Sequence, residues 1–255
     1  MPTHLALDDH LQALAASGTR LRDAAARAGV AAAVPTCPAW DVTDLVAHQG
    51  MVHRWAAANL RGDGDHDAAA SESEGKAAPD ILAWFTAGLD DLLATLRDTT
   101  EDAEAMVFLK DAPPPRRFWA RRQAHETTIH SIDAVAAEIG HAPLASDVPL
   151  DPSFAADGID ELLCGFIPRR KSRLRSPEPF AVLVTTIDTG HAWTVQISDE
   201  PVLTTVGDTG NAHATLTGTA AQLYLGLWNR GDELKADGRD DVLTLWRDQV
   251  RVLWR

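Results

Sequence analysis

The chain has 255 residues, 45% of them hydrophobic, so it can bury one large core or two modest ones. No apolar run approaches the roughly 20 residues of a membrane span, and the N-terminus lacks the basic and apolar parts of a secretory signal, so we expect a cytoplasmic protein. The net charge of −14 argues against a nucleic-acid or anionic-membrane partner. The two cysteines form no short-spaced pair, so disulfide stapling is not expected.

Four long helices are predicted in the N-terminal half from helical spacing of apolar residues and from end signals such as Asp41 and Gly140. Their expected ranges are 5–29, 42–61, 81–97 and 117–139. Helices joined by short or irregular segments fit an antiparallel bundle. Residues 62–79 contain no large apolar side chain, so this segment is expected to be a mobile loop.

The pattern changes near residue 150. A helix is predicted over 153–166, followed by a basic run from Arg169 to Arg175. This run would attract an anionic substrate or, in the interpretation we favour, is a solvated connector between domains. Alternating apolar residues then predict a hairpin over 180–197 and two further strands near 201–206 and 211–216.

The C-terminal part closes with two predicted helices. Thr219 and Gln222 form a capping box that opens the first, and the second begins near Asp240. The predicted fold class is therefore α+β. It comprises a helical domain over 1–150 and a small α+β domain over 151–255.

Three polar side chains in the helical half are candidates for a metal site. Glu126 and His130 are four residues apart, which places them on one face of a helix. His48 lies on the apolar, inward stripe of the second predicted helix. Two imidazoles and one carboxylate from two helices suit zinc and leave its fourth position open. A lone inward histidine is more often a hydrogen-bonded core residue, so the hypothesis depends on the set of three.

Four segments together resemble the mycothiol-dependent maleylpyruvate isomerase family of actinobacteria: TCPAWDVTDLVAHQGMVHRW, RRQAHETTIHSIDA, FAADGIDELL and ATLTGTAAQLYLGLWNR. The resemblance spans nearly the whole chain. It implies a DinB-like four-helix bundle that holds a divalent metal, usually zinc, followed by a sterol-carrier-like α+β domain. Carried over by motif, the metal ligands fall on His48, Glu126 and His130, and an arginine associated with the active site falls on Arg230.

The resemblance implies a thiol-dependent reaction. Zinc with an open position can bind a thiol and favour its thiolate. In the implied isomerisation, the thiolate of mycothiol adds to the double bond of maleylpyruvate, the new single bond rotates, and elimination gives fumarylpyruvate and returns the thiol. Expulsion of a different leaving group would make the protein a mycothiol S-transferase acting on small electrophiles. The alternative from another class is a metal-binding regulatory or stress protein without catalysis.

Two further residues have open interpretations. His53 lies beside the stripe of His48, so it would contact substrate or shuttle a proton, or it lies at the surface or supports the ligands without touching substrate. Arg230 would pair with a substrate carboxylate, or it is a charge placed favourably at a helix end.

Overall fold

The computed structural model describes residues 5–250, in which the chain forms eight α-helices, one π-helical segment and a five-stranded sheet. The chain divides into two units. One spans Ala6–Pro143 and is entirely helical, and the other contains residues 144–250 and the whole sheet. The α+β class predicted from the sequence is confirmed. No helix among the described residues is long and apolar enough to cross a membrane.

The N-terminal unit contains the four predicted long helices. They are α1 (Leu7–Ala28), α2 (Val42–Arg61), α4 (Ile81–Asp98) and α5 (Pro115–Ile139), with a short helix α3 (Ala68–Ala77) between the second and third. Helix α1 packs along α5, and α2 packs against α4 and α5.

The ends of α2 and α5 follow local chemistry that is visible in the sequence. The Asp41 side chain accepts a hydrogen bond from the backbone N–H of Asp44 at 2.9 Å, which caps the start of α2. Helix α5 begins at Pro115 and ends where Gly140 adopts a left-handed conformation, with φ of 82°. Both boundaries lie within two residues of the prediction.

The prediction of a mobile loop over 62–79 is wrong, because the structure forms α3 within it. Asp67 caps this helix by accepting from the N–H of Ala70 at 3.0 Å. Gly75 is buried under the indole of Trp84, and Lys76 reaches Asp44 on α2 at 2.9 Å. A segment without large apolar residues can therefore pack when a partner supplies the large side chain.

The C-terminal unit is built on one sheet with the strand order β3-β2-β1-β4-β5. Its strands are β1 (Phe180–Thr186), β2 (Ala192–Ile197), β3 (Leu203–Val206), β4 (Ala214–Gly218) and β5 (Lys235–Gly238). The predicted hairpin is confirmed, with Val184 of β1 opposite Trp193 of β2. Strand β4 pairs with β1 in parallel, and β5, which the sequence did not predict, adds an antiparallel edge.

Helices in this unit complete the core beside the sheet. They are α6 (Pro152–Asp160), which continues as the π-helical segment Glu161–Phe166, then α7 (Ala220–Leu227) and α8 (Val242–Gln249). The Trp193 indole donates to a carboxylate oxygen of Asp160 at 3.0 Å, which links the sheet to α6. The Thr219 and Gln222 capping box is confirmed at the start of α7. The end of the last predicted helix, over 251–255, lies outside the described residues.

Candidate metal centre

Three side chains predicted to bind metal meet between α2 and α5. His48 comes from α2, and Glu126 and His130 come from successive turns of α5. One nitrogen or oxygen of each lies within 4.8 Å of the others. The two imidazole rings have centroids 5.2 Å apart and are inclined at 76°. Zinc holds such ligands at about 2.0–2.2 Å, so two atoms bound to one ion lie at most about 4.4 Å apart, and the three candidate ligand atoms are near this limit.

Two atoms in this cluster lack a hydrogen-bond partner among residues 5–250. They are His48 Nε2 and Glu126 Oε1, and both are buried. A buried polar atom without a partner is costly, so native structures nearly always satisfy it with a protein group, water or an ion. A divalent cation between an imidazole nitrogen and a carboxylate oxygen would satisfy both atoms at once. The residues present therefore fit a bound metal.

Burial also sets the charges of the cluster. It lowers the pKa of His48 to about 3, and the nearby charges of His130 and Lys76 act in the same direction. The His48 imidazole is therefore neutral at physiological pH, which is the form that binds metals. Burial raises the pKa of the Glu126 carboxyl, although Arg122 and His130 oppose this effect.

The side chain of His130 is held by a carboxylate behind it. His130 Nδ1 lies 2.9 Å from Oδ2 of Asp133, which is fully buried. The other oxygen of Asp133 accepts a hydrogen bond from the Thr36 hydroxyl at 2.6 Å. Because a carboxylate accepts, Nδ1 carries the proton and Nε2 keeps its lone pair. Metal-binding histidines commonly have this arrangement.

The connection between α1 and α2 covers one side of the cluster. Its loop, Val34 to Trp40, brings the indole of Trp40 against both imidazoles. The Trp40 centroid lies 4.9 Å from that of His48 and 5.8 Å from that of His130. An aromatic wall therefore lies beside the two candidate nitrogen ligands.

Comparison with protein families identifies the chain. Residues 11–135 match the model of the mycothiol maleylpyruvate isomerase N-terminal domain, and residues 153–245 match the model of the C-terminal domain of the same family. The chain belongs to the mycothiol-dependent maleylpyruvate isomerase family.

Solved structures support the same fold at low sequence identity. A crystal structure of a mycothiol-dependent maleylpyruvate isomerase is 15% identical, with a TM-score of 0.62, and the match covers 92% of this chain and 95% of that one. A histidine-to-alanine variant of that enzyme gives the same values. A search of curated protein sequences found no match.

His53, the sequence candidate for substrate contact, lies on α2 in a fully buried position. Its Nε2 is 2.9 Å from the Thr127 hydroxyl and 3.0 Å from Gln49 Nε2, and its ring packs against Phe85. Burial lowers the pKa of His53 to about 3. This burial favours the supporting role over direct contact with substrate, because no face of the ring is open to a ligand.

Arg230, the sequence candidate for substrate carboxylate, lies in the C-terminal unit just after α7. It is partly buried, and its guanidinium donates to the backbone oxygen of Trp228 at 3.0 Å. Its backbone N–H donates to the Leu225 oxygen at 2.7 Å, so the residue belongs to the end of the helix. A role toward substrate stays a prediction.

Sequence reasoning did not select the residues that surround the candidate ligands. Asp133 follows His130 by three residues on the same helix, a spacing that does place two side chains together and is visible in the sequence. The other neighbours come from segments distant in sequence and meet the cluster only in the folded protein. Thr36 hydrogen-bonds Asp133, Trp40 packs on His48, and Thr127 accepts from Gln49. No local pattern reports such contacts.

Proposed function

We propose that this protein is a divalent-metal enzyme that uses mycothiol to isomerise maleylpyruvate or a similar unsaturated oxoacid. The observation that carries the proposal is the convergence of His48, Glu126 and His130 with two buried atoms left without partners. Family membership supports it, because the family models and the structural relatives are named for mycothiol-dependent maleylpyruvate isomerase. Zinc is the metal that this donor set suits best.

Each side chain would have a distinct task. The imidazoles of His48 and His130 would bind the cation, and the Glu126 carboxylate would balance part of its charge. Asp133 would keep the lone pair of His130 directed at the cation, because its carboxylate holds the opposite ring nitrogen. A metal bound in this way lowers the pKa of a coordinated thiol and so supplies a thiolate at neutral pH.

The reaction then needs little further acid or base chemistry. The thiolate sulfur of mycothiol adds to one carbon of the cis double bond, and the electrons of that bond pass into the adjacent carbonyl. The new single bond rotates, and the electrons return as the carbon–sulfur bond breaks. The products are the trans isomer and the same thiolate. Arg230 is proposed to pair with a carboxylate of the substrate, for which the guanidinium fork is well shaped.

A turnover assay that also measures the free thiol concentration tests the proposal. The full-length protein, loaded with zinc, is incubated with maleylpyruvate and substoichiometric mycothiol, and substrate, product and free thiol are followed together. We expect many turnovers per thiol and no loss of thiol. The same protein without mycothiol, and the Glu126→Gln variant with it, should both be inactive.

Other results would identify the alternatives. Loss of one thiol per product, with a conjugate seen by mass spectrometry when simple electrophiles are supplied, would indicate an S-transferase. Binding of zinc with no turnover of maleylpyruvate or electrophiles would indicate a metal-binding regulatory or stress protein. Either result would reject the isomerase assignment.

A further inference from the structure

We infer that the loop Val34 to Trp40 is the positioning element of the metal centre, with Trp40 orienting His48 and Thr36 orienting His130 through Asp133. The inference rests on the metal-binding part of the proposed function and extends it to residues that do not themselves bind the ion. Both contacts come from one short segment outside the helices that carry the candidate ligands.

The loop is closed on itself and is therefore a preformed unit. The backbone N–H of Val34 donates to the Trp40 oxygen at 3.1 Å, and the N–H of Trp40 donates to the Cys37 oxygen at 2.8 Å. Ala33 and Asp41 pair as an isolated bridge at its base. Because its ends and interior are bonded, the loop can hold Thr36 and Trp40 in fixed positions.

The two imidazoles are held in different ways. His130 is oriented by its hydrogen bond to Asp133 Oδ2, and Oδ1 of the same carboxylate accepts from the Thr36 hydroxyl at 2.6 Å. His48 Nε2 has no hydrogen-bond partner among residues 5–250, and the ring packs against Trp40 with a centroid distance of 4.9 Å. The loop therefore acts on one ligand by a hydrogen-bond relay and on the other by ring packing.

Conservative substitutions distinguish the loss of these two contacts from a general loss of protein stability. Thr36→Val keeps the shape and removes the hydroxyl, whereas Thr36→Ser keeps the hydroxyl. Thr43→Val is the matched control, because it removes a hydroxyl in the first turn of α2 that donates to the Val30 oxygen at 3.0 Å. Trp40→Ala removes the packing on His48, and Trp40→Phe retains an aromatic ring.

The measurements are the zinc dissociation constant, by chelator competition on full-length protein, and the visible spectrum of the cobalt(II) form. Thr36→Val is expected to weaken zinc binding about five- to ten-fold and to shift the cobalt bands. Trp40→Ala should weaken binding about three- to ten-fold. Thr36→Ser and Trp40→Phe should restore wild-type values within about two-fold, and Thr43→Val should change neither property.

A double variant checks the proposed relay. If Thr36 acts through Asp133, Thr36→Val should cause no further loss in an Asp133→Ala background, where the middle of the relay is absent. Wild-type zinc affinity and cobalt spectrum in both Thr36→Val and Trp40→Ala would overturn the inference. If Glu126→Gln still weakens zinc binding in that case, the proposed metal site survives. If Glu126→Gln also binds zinc like the wild type, both proposals fail.

Discussion

His130 Nδ1 lies 2.9 Å from Asp133 Oδ2, one turn further along α5. The carboxylate is fully buried, so this hydrogen bond is not exchanged with water. It fixes which ring nitrogen carries the proton, and it fixes the direction of the other nitrogen toward His48 and Glu126. This hydrogen bond therefore orients His130 toward the other two candidate ligands.

Replacing Asp133 by asparagine is predicted to weaken zinc binding about 10- to 100-fold. Asparagine keeps the shape but carries no negative charge, so its hydrogen bond to His130 is weaker, and its NH2 group replaces the acceptor oxygen that faces the Thr36 hydroxyl. Chelator competition on the purified variant measures the effect. Asp90→Asn, an exposed change on α4, is the control and should leave the affinity unchanged. An Asp133→Asn protein with wild-type affinity would contradict the orienting role.

Replacing Glu126 by glutamine is predicted to reduce zinc content from about one ion per chain to a small fraction after dialysis. The amide has nearly the same size but no negative charge to balance the cation. Elemental analysis of the dialysed protein gives the stoichiometry. Glu138→Gln is the matched control, because Glu138 lies on the same helix and binds Arg27 with an Oε2 to Nη2 distance of 2.9 Å. Full occupancy in Glu126→Gln would remove Glu126 from the ligand set.

The sequence predicted the long helices and the candidate ligands because both depend on local information. Capping by Asp41, the left-handed Gly140 and the four-residue spacing of Glu126 and His130 are all properties of short segments. His48 was selected because it lies on the inward stripe of its own helix, whereas its joining Glu126 and His130 was a hypothesis that the family resemblance also implied. The helix ends and the shared helix face of Glu126 and His130 could be predicted because each depends on residues within about one or two helical turns.

What the sequence did not predict depends on distant partners. Helix α3 is held by Trp84 and by the Lys76 ion pair with Asp44, so its own composition is uninformative. Strand β5, with four exposed residues, exists because β4 offers it an edge. The contact of Trp40 with both imidazoles requires the α1 to α2 connection to fold back over α5.

His53 is predicted to support the fold of the N-terminal unit without binding substrate. Its removal by His53→Ala would leave a cavity and deprive Thr127 and Gln49 of a buried partner. The expected loss in free energy of unfolding is about 2–4 kcal/mol. Denaturant unfolding measures it, and the exposed His141→Ala in the same unit is the control. A variant with wild-type stability and a raised KM for the unsaturated substrate would instead support direct contact.

Gly50 is predicted to be required because the indole of Trp84 occupies the space beside it. A methyl group at Gly50 would lie 2.2 Å from a ring carbon of Trp84. Alanine would otherwise favour the interior of α2 by about 1 kcal/mol, so glycine at this position reflects close packing. Overpacking typically costs about 1–3 kcal/mol, and we expect Gly50→Ala to be destabilising by up to about 2 kcal/mol after the helix gain of about 1 kcal/mol is counted.

The Gly50→Ala variant also tests whether a change in the packing of α2 against α4 alters zinc binding at the candidate metal centre. His48 precedes Gly50 by two residues, so a shift of α2 away from Trp84 would move the imidazole relative to α5. Zinc affinity should therefore fall together with stability, and Trp84→Leu in the same chain should recover part of both by making room. Gly64→Ala is the control, because nothing lies within 4 Å of an added methyl group there. Loss of stability with unchanged zinc affinity would show that the two helices that carry the ligands are held together independently of α4.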